Sequence, residues 1–156
     1  MSDVPDLMFL MSWATHALAQ EHATALSGLG ISTRAYCVLE RGLTGELTQT
    51  QLGELCGIDK TTMVVTLDEL ERAGLAERRM SETDRRARIV KVTPQGERMV
   101  AEAGEIVTRL QAEILSTVPS HDRKVFLDVL GHLINGRLST IVQAERPVRR
   151  RAAKAA

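Results

Sequence analysis

A cluster of basic residues between Glu77 and Lys91 has the clearest binding chemistry in the sequence. Six basic side chains face three acidic ones there, whereas the whole chain of 156 residues balances 20 basic against 20 acidic side chains. Guanidinium and ammonium groups attract phosphates and other anions, so the segment predicts a local anion-binding surface on an otherwise neutral protein. The basic residues are Arg78, Arg79, Arg85, Arg86, Arg88 and Lys91.

The other reactive side chains form no pattern that is typical of an enzyme or a metal site. His16 and His22 lie six positions apart in a predicted helix, so they point to different faces and do not have the spacing of a metal-binding pair. The sequence lacks a glycine-rich phosphate loop and the motifs H-E-x-x-H and G-x-S-x-G. We therefore expect no catalytic residues, no metal and no cofactor.

Composition and cysteine content favour a protein of the cytoplasm. Hydrophobic residues make up 44% of the chain, and the first residues lack the features of a signal peptide. No apolar run approaches the ~20 residues that a membrane helix needs. Cys37 and Cys56 fall on apolar faces of predicted helices, which favours buried, inert thiols. A redox-responsive protein that uses Cys37 or Cys56 remains an alternative.

Two short predicted helices lie before the basic cluster. The first ends at Gly57, and Asp59 is placed to cap the second. Two short helices joined by a tight turn that contains glycine are typical of a helix-turn-helix. The apolar positions that define the buried faces are Leu52, Leu55 and Cys56 in the first helix and Met63, Leu67 and Leu70 in the second.

The basic cluster itself is predicted to form a hairpin, with strands over residues 75–79 and 87–93 and a polar loop over residues 80–86. Apolar residues at helical spacing predict further helices on both sides. The fold class is therefore mainly α with a small β-hairpin wing. The flanking helices are expected over residues 7–28, 33–42, 94–117 and 120–146, with Ser32 or Thr33 as a cap of the second and Thr93 as the cap of the third.

A helix-turn-helix followed by a basic hairpin has a direct geometric meaning on double-stranded DNA. The second helix fits the major groove, and arginines of the loop reach the neighbouring minor groove. Val64 and Val65 can pack on thymine methyl groups, although ordinary core positions remain an alternative for both. The residues expected to contact DNA are Lys60, Thr61, Thr62, Val64 and Val65 in the helix and Asp84, Arg85 and Arg86 in the loop.

Three segments resemble the MarR family of bacterial transcriptional regulators. They are L-T-Q-T-Q-L-G-E-L-C-G-I-D at residues 47–59, L-D-E-L-E-R-A-G-L-A-E-R-R at 67–79 and T-D-R-R-A-R-I-V-K-V-T-P-Q-G at 83–96. The resemblance implies a winged-helix homodimer whose terminal helices intertwine and whose recognition helices bind a pseudo-palindromic operator. It also implies a repressor that a small molecule releases from DNA. A winged helix that serves as a protein–protein interaction module is the alternative.

The resemblance also implies roles for individual wing residues. Arg86 enters the minor groove, Asp84 shapes the loop, and Asp59 and Arg88 support the wing, Asp59 by a salt bridge to Arg86. The sequence departs from many family members at 64–65, so the operator of a relative does not transfer to this chain. The implied division of the chain is residues 1–30 for dimerisation, 31–93 for DNA binding, 94–146 for dimerisation and 147–156 as a disordered basic tail.

An effector pocket is a further expectation from the resemblance. Family members often bind a small anionic or aromatic compound between the dimerisation helices and the winged helix. Trp13 and Asp59 are similar to residues of a urate-responsive subgroup, although packing in the dimer core remains the alternative for Trp13. The candidate pocket residues are Trp13, His16, Tyr36 and Arg78.

Overall fold

The computed structural model describes residues 6–81, 84 and 87–140, which form six α-helices and a three-stranded sheet. The chain divides into two units, Met1–Ile114 and Leu115–Ala156. The elements are α1 Leu7–Leu26, α2 Thr33–Gly42, β1 Leu47–Thr48, α3 Gln49–Cys56, α4 Lys60–Arg72, β2 Ala76–Met80, β3 Arg88–Val92, α5 Pro94–Ser116 and α6 Ser120–Asn135, with a 3₁₀ turn at Ser27–Leu29 after α1.

Side-chain caps explain where the first four helices begin. Each capping oxygen accepts hydrogen bonds from backbone N–H groups that the first turn of a helix leaves unpaired. At α3 the cap is reciprocal, because the Thr48 hydroxyl accepts from the Gln51 N–H and the Gln51 side chain accepts from the Thr48 N–H. The capping residues are Asp6, Ser32, Thr48 and Asp59, which confirms the predicted caps of α2 and α4.

The sheet has the strand order β1-β3-β2, and all its pairs are antiparallel. Strands β2 and β3 form the predicted hairpin, in which Arg78 lies opposite Val90 and Met80 opposite Arg88. Strand β1 was not predicted, because two residues are too few for an alternating pattern to be recognised. It pairs Leu47 with Val90 and so attaches the start of the helix-turn-helix to the hairpin.

The buried core lies in the first unit and joins the end of α1, helices α2, α3 and α4, the sheet and α5. The predicted core residues of α4 are confirmed, but Leu55 of α3 is 57% exposed and the prediction for it was wrong. Leu52, Gly53 and Cys56 define the inward face of α3, and Leu55 lies roughly 100° away from the centre of that face. The central side chains are Leu26, Val38, Leu39, Leu52, Met63, Leu67, Leu70, Val90, Val92, Ala103 and Val107.

Helix α6 forms the second unit and is shorter than predicted. It ends at Asn135 rather than near residue 146, because Asn135 and Gly136 both have low helix propensity and the chain turns there. After the turn, the Leu138 N–H donates to the Leu133 carbonyl. The predicted tail over residues 147–156 lies outside the described residues.

Large apolar side chains remain exposed on α1 and on α6. On α1 they follow one another directly after the cap, so they surround the first turns of the helix instead of forming one stripe. Within the described part of the chain, none of the helices has the length and apolar composition to cross a membrane. The exposed apolar residues are Leu7, Met8, Phe9, Leu10 and Trp13 on α1 and Val125, Phe126, Leu127, Val129 and Ile134 on α6.

Thr93 connects the sheet to α5 through three hydrogen bonds. Its hydroxyl donates to the Gly74 carbonyl at 2.7 Å and accepts from the Gly96 N–H at 3.1 Å, as predicted for a cap of α5. Its own N–H donates to the Leu75 carbonyl at 3.1 Å. The backbones approach so closely that a Cβ atom at Gly96 would lie 2.1 Å from the Leu75 oxygen and 2.7 Å from Val92 Cγ1. Glycine is therefore required at position 96.

The substitution Gly96→Ala tests this close approach. We expect it to lower the free energy of unfolding by about 3 kcal/mol, the upper end of the usual cost of overpacking, because the clash is with backbone. Urea denaturation followed by circular dichroism measures the change. Gly28→Ala is the matched control, since a Cβ atom at Gly28 meets nothing within 4 Å. Equal stability of the two variants would show that the backbone near Gly96 can move apart without a loss of stability.

Candidate nucleic-acid interface

One face of α4 is exposed and carries most of the residues that were expected to contact DNA. Lys60 and Thr61 lie at its first turn, and Val64 and Val65 follow one turn later on the same side. Val64 is 37% exposed and Val65 is 48% exposed, so the alternative that they are core residues is excluded. The opposite face, with Met63, Leu67 and Leu70, is buried in the core. The core therefore fixes which side of α4 is presented to a partner.

Asp59 and Thr62 form a closed pair at the start of α4. The Asp59 carboxylate accepts a hydrogen bond from the Thr62 N–H at 3.0 Å and another from the Thr62 hydroxyl. These hydrogen bonds hold the pKa of Asp59 below its ordinary value, so the carboxylate stays ionised at neutral pH. The Thr62 hydroxyl is thus directed at the cap. The salt bridge expected between Asp59 and Arg86 involves a residue outside those that the structure describes.

The hairpin loop is closed by backbone hydrogen bonds. The Ser81 N–H donates to the Ala87 carbonyl at 3.0 Å, and the Ala87 N–H donates to the Asp84 carbonyl at 2.9 Å. The Asp84 N–H donates to the Ser81 hydroxyl at 3.2 Å, which places Asp84 within the turn. Arg88 is exposed at the end of β3. The remaining loop residues, 82–83 and 85–86, lie outside the described residues.

Arg78 of β2 binds acceptors on three successive turns of α4. Its Nη1 donates to Glu71 Oε2 at 2.7 Å, and its Nη2 donates to Asp68 Oδ1 at 2.7 Å and to the Val64 carbonyl at 3.1 Å. The Arg78 backbone N–H also donates to Glu71 Oε1 at 2.7 Å. The Arg78 side chain is only 16% exposed. We call this set of contacts the Arg78 clamp.

The Arg78 clamp uses acceptors from successive turns along one side of α4. Because these acceptors occupy both terminal nitrogens, the structure places the Arg78 guanidinium between the wing and α4 and not on the open surface. The neighbouring Arg79 is different, since it pairs only with Glu77 of the same strand and both side chains are about half exposed. Arg79, Arg88 and Lys91 are therefore the exposed cations of the described hairpin.

The carboxylate partners of Arg78, which are Asp68 and Glu71, were not predicted from the sequence. A signal for them exists. Asp68 and Glu71 are three positions apart, so they share one side of α4. Arg78 has the same strand parity as the buried Ala76, so it points inward from the hairpin. An inward arginine next to a helix with paired carboxylates predicts this contact.

The candidate effector residues lie on three different elements, since Trp13 and His16 are in α1, Tyr36 is in α2 and Arg78 is in β2. Trp13 is 66% exposed on α1, where it stacks on Phe9 with 6.3 Å between ring centroids, and His16 is one turn further along. Tyr36 of α2 is buried, and its hydroxyl donates to Glu40 Oε1 at 3.1 Å. Burial and the Glu40 charge raise the pKa of Tyr36 to about 12, so the hydroxyl remains a hydrogen-bond donor at neutral pH.

An open depression of about 570 Å³ lies on α5 next to this tyrosine. The Tyr36 hydroxyl is 3.6 Å from the position that a Cβ atom would take at Gly104, which is one of the residues lining the depression. Arg109 lines it as well and contributes a positive charge. These residues were not among the sequence-based candidates. The lining residues, Ala101, Gly104, Glu105, Thr108 and Arg109, repeat at helical spacing and form one face of α5.

The two cysteines are half-buried between α2 and α3. The Cys56 thiol donates to the Cys37 carbonyl oxygen at 3.8 Å. Burial raises the pKa of the Cys56 thiol well above its ordinary value, and the neighbouring Cys37 acts in the same direction. The Cys56 thiolate, the form that reacts with oxidants, is therefore scarce at neutral pH, which does not favour a redox role for Cys56.

The substitution Arg78→Met tests the Arg78 clamp. We expect it to lower the free energy of unfolding by about 1–3 kcal/mol, because Asp68 and Glu71 lose their charged partner in a partly buried site. Arg79→Met is the control on the same strand, and its exposed ion pair is worth less than ~1 kcal/mol. Urea denaturation of both variants measures the difference. A loss no greater than that of the control would contradict a stabilising role for the clamp.

Comparisons with known proteins identify the family. The family model for the MarR family matches residues 29–87. The crystal structure of a MarR family transcriptional regulator from Silicibacter pomeroyi is 30% identical, with 85% of this chain and 90% of that chain covered and a TM-score of 0.74. CouR from Rhodococcus jostii, bound to p-coumaroyl-CoA, is 25% identical, with coverages of 91% and 100% and a TM-score of 0.75.

A second structure of CouR, a transcriptional repressor bound to a 23-mer DNA duplex, has the same fold, with 24% identity, coverages of 82% and 92% and a TM-score of 0.76. The matches cover nearly the full length of these proteins, and the matched family model includes the helix-turn-helix and most of the hairpin. The chain therefore belongs to the MarR family, whose members are transcriptional regulators and not enzymes.

Proposed function

We propose that this chain is a sequence-specific, DNA-binding repressor of the cytoplasm that a small-molecule effector releases from its operator. The observation that carries the proposal is the exposed face of α4, which the Arg78 clamp holds next to a basic hairpin. A helix and a loop in this arrangement match the major groove and the adjacent minor groove of B-DNA. CouR, which shares the fold, is a repressor that binds a DNA duplex.

Electrostatics supports the same assignment. Lys60, Arg79, Arg88 and Lys91 are exposed on α4 and the hairpin, where their charges attract phosphates. The loop arginines at positions 85–86 add to this charge. Because the whole chain is neutral, the local positive charge of this surface, rather than the net charge, orients the protein as it approaches the duplex.

Two copies of the chain form the binding unit in this proposal. The exposed apolar side chains of α1 and α6 are more extensive than a monomer normally leaves in water, and a second copy is the simplest cover for them. A two-fold symmetric dimer presents two α4 helices to successive major grooves about 34 Å apart. The operator is then a pseudo-palindrome.

The proposed effector is a small compound with an aromatic ring and an acidic group. The depression at Gly104 carries the positive charge of Arg109, and the Tyr36 hydroxyl lies close to Gly104. Trp13 and His16 offer an indole and an imidazole on α1. CouR, which shares the fold, binds p-coumaroyl-CoA. Arg78 acts in this proposal through the clamp and not through the effector. Effector and operator then weaken each other's binding by the same factor.

Fluorescence anisotropy with the chain's own upstream DNA, over a series of salt concentrations, tests DNA binding. We expect selective binding relative to a scrambled duplex. The substitution Arg86→Ala should reduce the slope of log K against log salt by about one and weaken binding, because one cation no longer meets the duplex. Arg98→Ala, which removes an exposed charge from α5, is the control. Unchanged slope and affinity in Arg86→Ala would remove the wing from the mechanism.

The double substitution Phe126→Glu with Val129→Glu tests the dimer. Both side chains are more than half exposed in the single chain, so the variant can keep its fold. We expect sedimentation velocity to show a monomer with much weaker operator binding, since each monomer then reaches only one half-site. Lys124→Glu is the control on the polar side of α6. A dimeric double variant would exclude α6 from the interface.

A further inference from the structure

We propose that Val64 and Val65 select DNA by contacting the C5-methyl groups of thymine in the major groove. The inference rests on the proposed DNA-binding function and names what the recognition helix reads. It begins from the position of the two valines. They are the exposed apolar residues of α4, and they follow Lys60 and Thr61 on the face that points away from the core.

The polar side chains of α4 are largely engaged inside the protein. The Thr62 hydroxyl is bonded to Asp59, and the fully buried Thr66 donates its hydroxyl to the Thr62 carbonyl at 2.8 Å. The carboxylates of Asp68 and Glu71 bind Arg78. Between the first turn of the helix and Glu69, the exposed face therefore presents valine methyl groups rather than donors or acceptors.

Among the four bases, one offers an apolar group that the patch formed by Val64 and Val65 can contact in the major groove. Thymine alone carries an apolar group, the C5-methyl, on its major-groove edge, whereas guanine, cytosine and adenine present donors and acceptors. A valine placed against a polar edge removes water without replacing its hydrogen bonds, and such a loss is costly. Val64 and Val65 thus favour thymine by attraction and disfavour the other bases through unpaired polar groups.

The patch is also held in place before DNA arrives. Arg78 Nη2 donates to the Val64 carbonyl, so the Arg78 clamp fixes the turn that carries both valines. A β-branched side chain has one strongly preferred rotamer in a helix, so the valine methyl groups have little freedom to lose on binding. A preorganised apolar contact of this kind contributes to specificity more than its small area suggests.

The test compares thymine with uracil, which lacks only the methyl group. Duplexes are selected by the protein from a random-sequence library, amplified with either dTTP or dUTP, and compared by fluorescence anisotropy. We expect the uracil form to bind more weakly by about fourfold for each methyl group that is contacted, which is the effect of removing one such group from an apolar contact. An unselected random duplex should bind equally in both forms.

The double substitution Val64→Ala with Val65→Ala supplies the decisive comparison. We expect this variant to lose most of the discrimination between the thymine and uracil forms, because alanine lacks the γ-methyl groups with which valine reaches the base edge. Leu43→Ala, which shortens an exposed aliphatic side chain at the end of α2, is the matched control and should keep the discrimination. Circular dichroism verifies that both variants are folded.

Two results overturn the inference while leaving DNA binding intact. One is equal affinity of the wild-type protein for the thymine and uracil forms of selected duplexes. The other is a uracil penalty of undiminished size in the double valine variant, which would show that the methyl groups act through DNA shape. Failure of the protein to enrich any sequence from the library would instead overturn the proposed function together with the inference.

Discussion

The salt bridges from Arg78 to Asp68 and Glu71 hold strand β2 against helix α4. Along the chain, these two elements are connected through the short turn at Gly74. The core fixes which face of α4 points outward, because Met63, Leu67 and Leu70 are buried. Arg78, with acceptors on successive turns of α4, fixes the position of β2 against that helix. The grooves of a DNA duplex lie at fixed spacing. A protein that contacts two grooves with a helix and a wing therefore needs a fixed arrangement of these two elements before it binds.

Local signals made much of the fold predictable. Ser32, Asp59 and Thr93 were identified as caps because a capping side chain acts within three residues of its own position. Apolar periodicity gave two wrong predictions. Leu55 was predicted to be buried, but the inward face of α3 is too narrow to include it. Helix α6 was predicted to continue to residue 146, but it ends at Asn135, before Gly136. Most of the α4 residues that were expected to contact DNA lie on one exposed face. The burial of Met63 on the opposite side of the helix determines which face is exposed.

Contacts between elements were harder to predict. The Asp68 carboxylate meets Arg78 from ten positions away, and the Tyr36 hydroxyl meets α5 near Gly104 from the far side of the core. Helix propensity and strand parity give the direction of each side chain but not the distance between elements, which depends on packing. The depression beside Tyr36 was missed for this reason. In the proposed dimer, where a second copy covers the exposed apolar side chains of α1 and α6, the free energy of unfolding would depend on the concentration of the chain.

Hydrogen bonds of Thr93 to Gly74, Leu75 and Gly96 join the turn before β2 to the start of α5. Gly104 lies about 16 Å from Thr93 along α5, and the first residue of β3 lies about 16 Å from Thr93 along the strand. Because the two distances are similar, a rigid rotation of α5 and the hairpin about Thr93 would displace Gly104 and the loop by similar amounts. A displacement of about 1 Å is roughly a third of the rise between base pairs. Under the proposed function, a compound at Gly104 would therefore displace the loop about as far as it displaces α5.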